Sequence, residues 1–244
     1  MSDRSLEASP QVYARIAGWL YVAVIAVGIF AEGYVRGRLV VPGNAAATAQ
    51  NIMGSQGLWR GALAAELVML IFYVAITLIL YALLRPVNRN VSLLAAFFSL
   101  LGCAILGVDE LLNLVPLFLL GGSDYLSAFD VQQLQALALL STRLFENGYV
   151  IAMMNFGCFC FSIGYLFFKS GYFPKWLGIL LEIGGLSYVV NGFVHFAAPA
   201  IASKMPDITV LGGIAELALC LWLIVMGVNA PKWKQAEQLA PLLD

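Results

Sequence analysis

Residues 58–84 read LWRGALAAELVMLIFYVAITLILYALL. A run this long and apolar spans ~30 Å of hydrocarbon as a helix rising ~1.5 Å per residue. Its two charges, Arg60 and Glu66, sit toward one end, and Arg85-Pro86-Val87-Asn88-Arg89 stops it at the other with a helix-breaking, basic turn. This stretch therefore predicts a membrane-spanning helix.

The rest of the chain follows the same pattern. Of 244 residues 61% are hydrophobic and 11% charged, against the ~25% charged residues usual in soluble domains. Apolar runs predict six spans at about 13–35, 58–84, 91–120, 147–168, 174–198 and 208–229, all belonging to one integral membrane domain over 1–244. The expected fold class is all-α, a polytopic bundle of six transmembrane helices. Arg4, Arg15, Arg85, Arg89, Lys169, Lys175, Lys232 and Lys234 flank one side, while Arg36, Arg38 and Lys204 flank the other. The positive-inside rule then places both termini in the cytoplasm. Arg4 and Arg15 precede an apolar stretch from Ile16 to Ala31 that lacks a clear small-residue cleavage site, so it reads as a retained first helix. Two connections carry apolar residues of their own: 44–57 has the makings of a short helix, and 127–142 either lies at the interface or extends the fourth span.

Charged side chains at mid-membrane cost ~2.5–3.5 kcal/mol each and mark functional positions by default. Threaded as above, Arg60, Glu66, Asp109, Glu110, His195 and Glu216 fall toward the same side, with Asn191 one turn from His195. These seven are the candidate ligand-binding residues. Arg143, Glu146 and Asn147 form a secondary set, and Glu32/Arg36 and Arg143/Glu146 read as local pairs at span edges. What remains is rich in acid. Such an excess is relieved by a bound cation or a proton.

Three stretches carry a resemblance: Leu80–Asn88 (LYALLRPVN), Gly164–Pro174 (GYLFFKSGYFP) with Gly178, and Ala215-Glu216-Leu217 followed by Leu221-Trp222-Leu223 and Gly227-Val228. The chain resembles a bacterial family of uncharacterised membrane proteins, the DUF4386-type domain of unknown function. The resemblance implies a multi-span protein of a bacterial cytoplasmic (inner) membrane and supplies no reaction, ligand or site residue.

The leading expectation is an outward-facing acidic cavity that binds or transports a small cationic or protonatable ligand, or senses protons. One alternative is a metal-dependent intramembrane hydrolase using His195 and carboxylates, with a divalent metal activating water. Against it stand the single histidine and the lack of a His-Glu-x-x-His or Gly-x-Ser-x-Gly pattern. A second alternative is a structural subunit whose polar residues join helices, with Gly184-Gly185 and Gly212-Gly213 permitting close packing. No cofactor is predicted, although a divalent metal fits the hydrolase reading. The expected partners are the lipid bilayer and a small cationic ligand. A net charge of −1 with no long basic run excludes nucleic acid as a principal partner. Cys103, Cys158, Cys160 and Cys220 all lie in apolar runs and read as packing residues.

Overall fold

The computed structural model describes residues 9–240, so the flank bearing Arg4 lies outside the described residues. Its elements in order are α1 (Pro10–Gly28), a π-helix (Ile29–Arg36), α2 (Gly37–Leu39), α3 (Ala45–Gly54), α4 (Gln56–Leu84), α5 (Arg89–Leu119), a 3-10 turn (Asp124–Leu126), α6 (Val131–Ser170), α7 (Lys175–Ala197), α8 (Pro199–Ala202), α9 (Val210–Val225) and α10 (Ala230–Leu239). There is no strand among the described residues.

Five helical stretches are long and apolar enough to cross a membrane: Pro10–Leu39, Gln56–Leu84, Arg89–Leu119, Val131–Ser170 and Lys175–Ala197. The sixth expected span is α9, which passes the same test only together with α10, from which it bends by 101°. Gly227 makes that bend with φ +63, a backbone conformation open to glycine. The fourth span is longer than its apolar run: α6 is one helix of 40 residues, so the 127–142 connection extends it. The 44–57 connection holds α3, capped where Asn44 Oδ1 accepts from Ala47 N at 3.0 Å. It is not merely superficial, because Ile52 is fully buried.

The chain divides into two compact units. One comprises residues 9–22, 72–102 and 153–240 among those described. Within it, α6 and α7 approach so closely that a Cβ on Gly157 would lie 2.6 Å from Gly185 O, and one on Gly164 would lie 2.7 Å from Gly178 O. Small residues at matched positions allow two helix backbones to pack where lipid tails offer no hydrophobic drive. Gly184 meets Ala215 and Gly212 of α9 in the same way, whereas a Cβ on Gly213 would meet nothing within 4 Å. The Thr77 and Ser99 hydroxyls join α4 to α5 with a bond of 2.6 Å, whereas Ser162 donates within its own helix, to Cys158 O at 2.7 Å.

The three sequence stretches that carry the family resemblance converge at one end of this unit. Leu83 O, near the C-terminus of α4 where carbonyls lack helical partners, accepts from Tyr172 Oη at 2.8 Å and Trp233 Nε1 at 2.9 Å. The Gln11 amide bridges the α9 bend, donating to Met226 O at 2.9 Å and accepting from Val228 N at 2.8 Å.

The other unit comprises residues 23–71 and 103–152. Ala31, Val35, Leu39, Ile52, Trp59, Ala62 and Leu117 form its apolar core.

Candidate functional site

In the second unit the first span changes winding where its charges begin. Ile29–Arg36 is a π-helix containing Glu32 and Arg36. Such segments are rare and concentrate at functional sites. Here it places Arg36, only 9% exposed, inside the unit rather than at its edge. The guanidinium donates through Nη2 to Glu32 Oε1 at 2.6 Å, through Nη1 to Glu66 Oε2 at 2.9 Å, and through Nη2 to Glu66 Oε1. Its other support is aromatic: Cζ lies 4.6 Å over the Phe145 ring, a cation-π contact strengthened by burial.

Glu110 and Asp109 on α5 lie within electrostatic reach of Arg36 and are 5% and 7% exposed. Glu66 and Glu110 are close enough for their charges to interact, and two carboxylates so placed repel unless one carries a proton. Asn113, one turn along α5, donates through Nδ2 to Glu110 Oε2 at 2.9 Å, while its backbone carbonyl accepts from Trp59 Nε1 at 2.7 Å. Asp109 packs on bare backbone at Gly148 of α6.

Charge does not balance around Arg36. One guanidinium faces Glu32, Glu66, Asp109 and Glu110, and the unit's remaining guanidiniums, on Arg38, Arg60 and Arg143, are exposed. Neither do hydrogen bonds: Arg36 Nε, Asp109 Oδ2 and Asn113 Oδ1 are buried without a protein partner. Acceptors outnumber donors among them.

Beside this cluster, α5 carries a depression of about 570 Å³ lined by Ala104, Ile105, Val108, Asp109, Leu111 and Leu112. Val108 and Leu111 are 68% and 60% exposed, which in a spanning helix means turned to lipid.

The sequence-based set thus divides. Glu66, Asp109 and Glu110 come together, around Arg36 rather than Arg60, which is exposed beside the buried Trp59. The spacing of Arg36 four residues after Glu32 predicts an edge pair; the π-helix and Glu66 instead make Arg36 the centre. Glu32, Trp59, Asn113, Phe145 and Gly148 were also missed. Asn113 alone had a usable signal, a polar side chain one turn beyond Asp109 inside an apolar run. Arg143 and Glu146 pair at 3.5 Å and are exposed, as expected of an edge pair, and Asn147 Nδ2 donates to Arg143 O at 2.7 Å.

Glu216, Asn191 and His195 belong to the first unit. Glu216 is half-buried, hydrogen-bonded by the Tyr188 side chain and by Cys160 Sγ at 3.6 Å. Asn191 is half-buried on α7, and His195 is exposed with its ring edge-on to Phe196 at 4.9 Å. All four cysteines are free. No group of three or more His, Cys, Asp or Glu side chains is arranged to hold a metal among the described residues.

Residues 16–227 match the family described as "Domain of unknown function (DUF4386)". An uncharacterised protein of Archaeoglobus fulgidus is 27% identical over 158 residues, covering 65% of this chain and 78% of its own. No solved structure matches the chain.

Proposed function

The chain belongs to the DUF4386 family of multi-span membrane proteins, and from that premise we propose that its Arg36-centred cluster is an intramembrane binding site for a proton or small cation, in a protein that binds, senses or transports such a ligand. One observation carries the reading: four carboxyl groups surround a single buried guanidinium. A buried excess of negative charge is expensive, and a cation or a shared proton removes it. The Glu66–Glu110 pair is where a proton would reside. Asp109 and Asn113 supply acceptors for a cation. Both termini at the cytoplasmic face of a cell membrane, with the cluster nearer the opposite face, is the orientation that the Lys and Arg distribution favours.

The test is purified protein in zwitterionic nanodiscs, followed by thermal unfolding between about pH 5 and 8 and with added sodium, potassium or methylammonium. The expected result is a transition that shifts with pH or with one of these cations, and that loses the shift in Glu110→Gln. No bound cation by native mass analysis together with a pH-independent transition would sink the reading.

The direct Arg36–Glu66 pairing favours a second reading, in which the cluster only fastens helices. That reading predicts unfolding unaffected by cations.

A further inference from the structure

We infer that the ligand of this cluster enters from the bilayer, as the protonated amine head of an amphiphile whose alkyl chain lies in the depression on α5. The inference rests on the cluster being a cation site and adds which cations it takes and by what route. Asp109 is at once a member of the cluster and the one charged residue lining the depression. Its Oδ2 is buried and unpartnered, and so is Oδ1 of Asn113, four residues further on the same helix face. Two vacant acceptors call for donors, and the surrounding acid calls for positive charge. A primary ammonium supplies both, with three N–H donors on a compact cation. Arg36 Nε, the cluster's one vacant donor, does not offset the two acceptors.

The walls select the rest of the molecule. Apart from Asp109 the depression is lined by Ala104, Ile105, Val108, Leu111 and Leu112, all apolar. A hydrated ion gains nothing along such walls, whereas an alkyl chain already dissolved in the membrane can lie there. At about 570 Å³ the depression has the size of small-molecule sites, roughly 300–1,000 Å³. Lipid tails are as apolar as the groove, so the chain provides access and register, and the head group decides binding.

The experiment uses full-length protein in phosphatidylcholine nanodiscs and a dodecylamine bearing a diazirine in its chain, photolysed and mapped by peptide mass analysis. Label should concentrate on residues 104–112, be competed by dodecylamine and not by dodecanol, and fall about tenfold in both Asp109→Asn and Ala104→Trp. Label spread evenly over lipid-facing helices, equal competition by the alcohol, or unchanged label in Asp109→Asn overturns the inference. The two variants act on different parts, head and chain, so the failure of one to fold leaves the other decisive. If the pH or small-cation response survives such a result, the cluster stands as a cation site without this route; if that response is absent too, both readings fail.

Discussion

The Asp109 carboxylate rests against the bare Cα of Gly148, so that a Cβ added at Gly148 would collide with both carboxyl oxygens, Oδ2 lying 2.6 Å away. Gly148 is within α6, where alanine is the better helix former by ~1 kcal/mol. Gly148→Ala therefore separates the site from the fold. The helix gains what glycine costs it, and the carboxyl must rotate out of its place. Thermal unfolding should change by no more than about 1 kcal/mol, while labelling of α5 by the long-chain amine drops several-fold. Labelling at the wild-type level would mean that the position of Asp109 is immaterial.

Arg36 offers the opposite case. Removing it leaves Glu66 buried at 4% exposure without its cation, and breaking a buried ion pair on one side costs about 3–5 kcal/mol. Arg36→Leu should show that loss in nanodisc unfolding at neutral pH. Arg36→Leu with Glu66→Leu should recover most of it, because an apolar pair of similar volume is tolerated. A double variant as unstable as the single one would point to Phe145 and Glu32 as the partners that matter.

Much of the fold was legible because spanning helices obey one rule: long apolar runs ended by Pro, Gly and basic turns. Limits appeared where packing outvotes composition. The first turns of α6 contain Gln132, Gln133 and Gln135, whose polarity hides that the helix is continuous from Val131. The short α9 reads as a full span until Gly227 turns the chain. At the site, charges sorted by depth point to Glu66, Asp109 and Glu110 with Arg60 as the nearby cation, whereas Glu66 is held by Arg36. Arg36 is four residues from Glu32, and that spacing reads equally as an exposed pair. Glu66 and Phe145, both distant in sequence, are what Arg36 meets in the interior. Glu216 shares the Ala-Glu-Leu setting of Glu66, yet its partners are a thiol and a phenol in the other unit.

Tyr172 lies between spans, with its hydroxyl donating to Leu83 O, and burial pushes its phenol up. The unfolded chain releases that proton near pH ~10. Above this pH the unfolded state binds fewer protons than the native one, so stability falls as pH rises, by up to about 1.4 kcal/mol per pH unit for this group. Tyr172→Phe forfeits a hydrogen bond of about 1 kcal/mol but has nothing to ionise. Unfolding curves should show the variant less stable near neutrality and the two proteins converging as pH rises beyond ~10. Parallel pH dependences would show that the phenol is not held neutral.

The α6–α7 crossing provides the sharpest stability test, because what meets each glycine is main chain. A Cβ on Gly164 would come within 2.7 Å of Gly178 O and 2.8 Å of Glu182 N, and one on Gly178 within 2.7 Å of both Gly164 O and Phe168 N. No rotamer can relieve a clash between a Cβ and a neighbouring backbone; the helices must separate. Intrinsic propensity would favour alanine at both positions by ~1 kcal/mol, so the sign of the change decides which effect wins. Gly164→Ala should destabilise by roughly 1–3 kcal/mol, the range for overpacking, and Gly164→Val by more. Gly213→Ala on α9, whose new Cβ would meet nothing within 4 Å, should be neutral or stabilising in the same unfolding assay. A stabilising Gly164→Ala would mean that the two helices do not pack at this distance.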